Sequence, residues 1–195
     1  MKHIELEQNT LDWYNHRKNY INASEVAIIM GLNPFETKEQ LLKKKVFDIK
    51  IEDNQAMQHG RLLEPQARAF FNQTKQFNFQ PKVFVKNFMS ASLDGWDEDK
   101  QTLLEIKCPV SLITFTWQNF FQEDKIPLFY YAQIQAQIYC SQAIKAYFSV
   151  YQNDQTNKIK IVEKNNDFIK DMIRQCSDFF QLLKKTKKIR AELQL

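Results

Sequence analysis

Leu103-Leu104-Glu105-Ile106-Lys107-Cys108 is the stretch on which the reading of the fold turns. A strand sends successive side chains to opposite faces, so Leu104, Ile106 and Cys108 share one face and Glu105 and Lys107 the other. A carboxylate and an ammonium then project together from an otherwise apolar strand. Burying charges without partners is costly, so this strand calls for a metal or a phosphate beside it. A cross-strand ion pair on a half-exposed sheet would present the same pattern. The spacing Glu-x-Lys alone says little, because it occurs at Glu36/Lys38, Glu98/Lys100, Glu105/Lys107 and Glu123/Lys125; only the Glu105 copy has hydrophobic neighbours.

Working outward, Asp94 ends the run Met89-Ser90-Ala91-Ser92-Leu93 and precedes Gly95. Asp-Gly is a turn signal, and the polar segment Trp96 to Gln101 reads as the loop of a hairpin. The hairpin makes its two strands neighbours and lets Asp94 approach Glu105. Two carboxylates with a backbone carbonyl, that of Ile106, form a set of hard oxygen donors of the kind magnesium takes. A third acid, Glu64, shares a helical face with Met57, Gly60, Ala67 and Phe71. Gly60 leaves room beside it, and Pro65 either kinks the helix or starts a new one with Glu64 near its cap.

The remaining pattern gives helices at about Leu11 to Asn19, Ser24 to Met30, Thr37 to Lys45 and Gln55 to Thr74. Strands follow at Lys82 to Lys86, Phe88 to Leu93 and Thr102 to Cys108, then helices at Ser111 to Phe121 and Pro127 to Ser141. Strands at Lys145 to Tyr151 and Lys158 to Glu163 and a helix from Asp167 to Lys188 complete the chain. Helices on either side of a strand cluster predict a layered α/β core. The 195 residues, with no repeat or low-complexity linker, read as one domain, 1–195.

Composition narrows the function classes. The 26 aromatic residues (16 Phe, 7 Tyr, 3 Trp) supply a core and argue against disorder. The longest apolar run, Val26 to Met30, is too short to cross a membrane, and Met1 to Glu7 lacks a signal core. Cys108, Cys140 and Cys176 are too far apart for a zinc knuckle and fit a reducing compartment. A P-loop, a Gly-x-Ser-x-Gly elbow and a catalytic Cys/His spacing are all missing from the sequence. The net charge of +4 permits nucleic-acid binding without demanding it. Lys184, Lys185, Lys187, Lys188 and Arg190 crowd one end, as a solvated helix end or as phosphate contacts.

Arg17 and Ser24 lie seven residues apart. Ser24 with Glu25 reads as a helix cap; the alternative is an anion pocket of helix amides, hydroxyl and guanidinium. Gln133 and Gln137 stand four apart on one helix. Phe115, Trp117, Phe120 and Phe121 form an aromatic cluster suited to a core or a subunit interface.

Taken in order, Trp13-Tyr14-x-x-Arg17, Asn22-Ala23-Ser24-Glu25-Val26, His59 to Pro65, Ser90 to Gly95, Leu104 to Pro109 and Tyr131 to Gln135 resemble the YqaJ-type viral recombinases, relatives of phage lambda exonuclease in the PD-(D/E)XK nuclease superfamily. The resemblance spans about Leu11 to Tyr151. It implies a restriction-endonuclease-like core with a central mixed sheet flanked by helices. It also implies a Mg²⁺-dependent exonuclease, with Mn²⁺ able to substitute, that degrades the 5′ strand of duplex DNA and leaves a 3′ overhang for a single-strand annealing protein. Carried onto this chain, Asp94, Glu105 and the Ile106 carbonyl would hold metal and Glu64 would support them. Lys107 would activate or orient water, Gln133 would position water or lysine, and Arg17 and Ser24 would receive a 5′-phosphate. Leu93 replaces the family's usual proline before the aspartate. The resemblance further implies a cytoplasmic setting in a bacterial or phage-infected cell and a ring-shaped trimer. An endonuclease on the same core and an inactive DNA-binding module are the rival readings.

Overall fold

The computed structural model describes residues 2–50 and 53–193. Its centre is a seven-stranded mixed sheet in the order β1-β3-β4-β5-β6-β7, with β2 beside β4. The strands are β1 (Lys2–Ile4), β2 (Ile21–Asn22), β3 (Gln80–Lys86), β4 (Met89–Asp97), β5 (Thr102–Lys107), β6 (Lys145–Tyr151) and β7 (Asn157–Glu163). The helices are α1 (Leu11–Arg17), α2 (Val26–Ile29), α3 (Lys38–Phe47), α4 (Gln55–Lys75), α5 (Phe115–Glu123), α6 (Leu128–Ser141) and α7 (Asn166–Glu192). The expected α/β core with a mixed sheet between helices is the observed one.

The alternation read from residues 103–108 organises the two sides of the sheet. Leu104, Ile106 and Cys108 pack with Ala67, Phe71, Phe79 and Tyr151 under α4. Leu103 belongs to the larger core formed with α2, α6 and α7, through Val26, Ile134, Ile138, Met172 and Phe179. β5 and β6 run parallel, pairing Leu103–Ala146 through Lys107–Val150. A parallel pair needs a long crossover, and α5 and α6 supply it. That crossover carries α6 across the sheet, with Gln133 and Gln137 beside Glu105.

Several local expectations are corrected. Asp94-Gly95 is not a turn: β4 runs on to Asp97, pairing Gly95–Leu104, Trp96–Leu103 and Asp97–Thr102. Gly95 is needed for close approach, since a Cβ there would stand 2.6 Å from Phe79 Cβ and 3.1 Å from Leu104 Cβ. Trp96 and Asp97 are buried rather than looped out. Asp97 shapes the true turn by accepting the Asn78 and Lys100 amides at 2.9 Å each. The helix read from Ser24 is a 3-10 turn, Ala23–Glu25, leading into the four-residue α2. Its cap is Asn22, in a reciprocal pairing with Glu25, and not Ser24. α4 is one helix with Pro65 inside it and Asn54 as its cap, so Glu64 is an interior residue. Strands β1 and β2 were not anticipated; at three and two residues they are too short to show an alternation.

Candidate active site

Glu105 is 1% exposed, and each of its oxygens is occupied by donors. Oε1 pairs with the Lys107 ammonium and accepts from Gln133 Nε2 at 2.7 Å. Oε2 accepts from Gln137 Nε2 at 2.5 Å. The other three Glu-x-Lys copies behave differently. Glu36 pairs with Lys44, Glu98 pairs with Lys82, and Glu123 and Lys125 pair in solvent. Burial separates the Glu105 copy from the exposed Glu98 and Glu123 copies, as its apolar neighbours indicate.

Asp94 stands where the β4–β5 ladder ends, and its Oδ2 accepts the Ile106 amide at 2.7 Å. Burial, then the nearby negative charges of Glu105 and Glu64, hold its carboxyl well above the usual range. At Lys107 burial favours the neutral amine. Glu105, Tyr130 and Asp94 outweigh it, so the ammonium is held more firmly than in water. Its Nζ also lies 4.9 Å from the Tyr130 ring centroid.

Glu64 is engaged by Arg68, whose Nη1 donates to Glu64 Oε1 at 2.8 Å and to the Asp94 carbonyl at 2.7 Å. Arg68 therefore ties α4 to β4 at the aspartate. Among the described residues, no three His, Cys, Asp or Glu side chains are placed to hold one ion. The oxygen donors that fit a small divalent cation are Asp94, Glu105 and the Ile106 carbonyl. Magnesium binds through one or two carboxylates and keeps several waters, so that set suffices. Glu64, the third acid of the sequence, lines the same cleft as Asp94 and Glu105, and its charge adds to that of Glu105 in raising the Asp94 carboxyl.

Arg17 donates to Ser24 Oγ at 3.1 Å and lies 4.6 Å over the Trp13 ring. Among the described residues it has no carboxylate within ion-pair distance, so its charge stays available to an anion. Trp13 Nε1 donates to Ser92 Oγ at 2.8 Å, and His16 bonds Ser90 Oγ at 2.9 Å, pinning α1 to β4. Glu25, Lys45 and Asn22 fix the far end of α1. Lys45 Nζ meets both Glu25 oxygens at 2.9 Å, and Asn22 Nδ2 donates to the Arg17 carbonyl at 3.0 Å.

Arg17, Ser24, Glu64, Asp94, Glu105, Ile106, Lys107 and Gln133 share the walls of one cleft of about 900 Å³. Every residue to which the sequence assigned a site role therefore lines one cavity. Arg68 draws no attention in the sequence, and Gln137 stands out there only as the neighbour of Gln133 four residues away. The only signal for Arg68 was its place four residues after Glu64. Gln137 looked like any glutamine on a helix. The aromatic cluster divides by face, with Trp117 and Phe120 buried and Phe115 exposed.

The YqaJ-like viral recombinase domain family matches residues 12–144. The YqaJ protein of Bacillus subtilis (strain 168) is 26% identical over 176 residues, 86% of this chain and 54% of that protein. The chain thus spans about half the length of the curated relative it matches. Among solved structures, an alkaline exonuclease from Laribacter hongkongensis superposes with a TM-score of 0.81 at 24% identity, covering 94% of this chain and 97% of that one. A second structure of that exonuclease is a complex with dAMP. A phage-related exonuclease from Haemophilus somnus 129PT superposes at 0.69 and 15% identity, covering 92% and 99%. At these identities the likeness carries the fold alone, a central mixed sheet flanked by helices.

Proposed function

The chain belongs to the YqaJ-like viral recombinase domain family, and from that premise we propose that it is a divalent-metal-dependent deoxyribonuclease. It degrades the 5′ strand of duplex DNA from an end and leaves a 3′ overhang for a single-strand annealing protein. The observation that carries this reading is the convergence, in one cleft, of Asp94, Glu105, Ile106 and Lys107 with Arg17, which has no ion-pair partner among the described residues.

Asp94, Glu105 and the Ile106 carbonyl would hold Mg²⁺, and the same oxygens would accept Mn²⁺. When bound, the ion supplies a polarised phosphoryl oxygen and a more acidic water. The crowding of negative charge that raises Asp94 is the condition a cation relieves. Lys107, an ammonium held by Glu105, orients the attacking water and meets negative charge developing on the phosphoryl oxygens. Gln133 fixes the Glu105 oxygen that Lys107 also touches. Arg17 and Ser24 receive the terminal 5′-phosphate, and Glu64, through Arg68, steadies Asp94.

The test is release of nucleotides from a linear 5′-phosphorylated duplex in Mg²⁺. Chelation abolishes release, and Glu105→Ala and Lys107→Ala each lower it by about 10²–10⁴-fold. Near-wild-type release by either variant overturns the assignment. Duplex binding without any metal-dependent hydrolysis points to an inactive binding module instead. The trimer that the resemblance implies is read by sedimentation equilibrium, and the cytoplasmic setting by fractionation of producing cells.

A further inference from the structure

Gln137, on α6, is 0% exposed and donates its Nε2 to two oxygens on different strands. One is Glu105 Oε2 on β5, at 2.5 Å; the other is the Ser92 carbonyl on β4, at 3.2 Å. Ser92 lies two residues before Asp94, and the β4–β5 register covers only Gly95–Leu104, Trp96–Leu103 and Asp97–Thr102. Beyond that point the ladder no longer sets the spacing of the strands. The Asp94–Ile106 amide bond and the Gln137 bridge take over.

The geometry has a recognisable cost. Gln137 Oε1 is buried and has no partner among the described residues. A buried acceptor left without a donor loses its hydration for nothing. The reverse amide orientation would set that oxygen against the Glu105 carboxylate, so the nitrogen stays where it is. Gln135, two residues earlier and equally buried, carries no such orphan. Its Nε2 donates to the Glu163 carbonyl at 2.8 Å, and its Oε1 accepts the Asn165 amide at 2.9 Å.

We propose that Gln137 is a positioning residue for the divalent cation. By clamping Glu105 Oε2 to the Ser92 carbonyl it sets where the Glu105 carboxylate stands relative to Asp94, and so sets the affinity of the pair. This rests on the nuclease reading above. Partners that orient a metal ligand are worth about 10–100-fold in affinity.

Calorimetric titration of Mn²⁺ into the whole chain reads that affinity directly. Gln137→Met and Gln137→Leu, which fill the space but cannot donate, bind Mn²⁺ at least about tenfold more weakly. The half-saturating Mg²⁺ for nucleotide release rises by the same factor. Gln135→Met also breaks two buried hydrogen bonds on α6 and lowers the melting temperature comparably, yet leaves Mn²⁺ affinity unchanged. Folded Gln137 variants with wild-type affinity overturn the proposal, as does an equal loss in Gln135→Met. Failure of both Gln137 variants to fold makes the residue structural and overturns it too. A wild-type chain that neither binds Mn²⁺ nor releases nucleotide sinks the nuclease reading together with this one. Active wild type with unaltered variants sinks this one alone.

Discussion

At Asp94, the ordinary preference of a carboxyl group for ionisation is opposed by burial and by two neighbouring acids. Its native pKa lies above its unfolded value of about 3.9. Between those values the folded chain keeps a proton that the unfolded chain has released. Folding of the metal-free protein is therefore penalised progressively as pH rises from about 4 through the raised value. Asp94→Asn removes the penalty while keeping an oxygen for the Ile106 amide. In chelator, the melting temperature of Asp94→Asn is expected to exceed that of wild type by a few degrees at neutral pH. The difference shrinks as pH falls toward 4, and a constant or inverted difference across pH 4–8 defeats this account of Asp94. At this scale the sequence was informative where a charge interrupted an apolar pattern, as at Glu105. It gave no role to Arg68 or Gln137, because one partner of each is a main-chain carbonyl distant in the chain.

Among the elements, β4 shows how a strong local signal can be overridden. Asp-Gly favours a turn, but the ladder to β5 and the contact with Phe79 make residues 94–97 strand. Gly95→Ala is expected to cost about 1–3 kcal/mol by overpacking against Phe79 and Leu104, measured by urea unfolding. Wild-type stability would mean that Phe79 moves aside freely. Helix ends show the reverse economy. With three glycines in the chain, α4 and α6 close on Gln76 and Gln142, both in the left-handed region at φ 54° and 57°. A side chain there costs about 1 kcal/mol or more. Gln142→Gly is accordingly expected to raise stability by up to about 1 kcal/mol, or about 2–4 °C at this chain length. A lower melting temperature refutes that accounting. The long amphipathic α7 and the β5 alternation were legible because periodicity persists over many residues. The 3-10 turn at Ala23 was not, since Asn22, Glu25 and Lys45 decide it jointly.

For the whole molecule, the question is whether the cleft works on ends. Among the described residues Arg17 bonds Ser24 and has no carboxylate within ion-pair distance, which under the proposed function suits it to a terminal phosphate. A linear 5′-phosphorylated duplex is expected to be degraded while a covalently closed circle of the same sequence survives. Cleavage of the circle, followed on a gel, would favour the endonuclease reading instead. The sequence by itself determined the layered α/β class, the alternation of β5 and the chemical identity of Asp94, Glu105, Lys107 and Arg17, because periodicity and residue type are local properties. Only the tertiary structure decided that Arg68 joins Glu64 to the Asp94 carbonyl, that Asp94 lies within a strand, and that Gln137 bridges two strands at the end of their ladder. Those outcomes depend on which distant backbone oxygens a folded chain brings within hydrogen-bonding reach, and no local pattern encodes that distance.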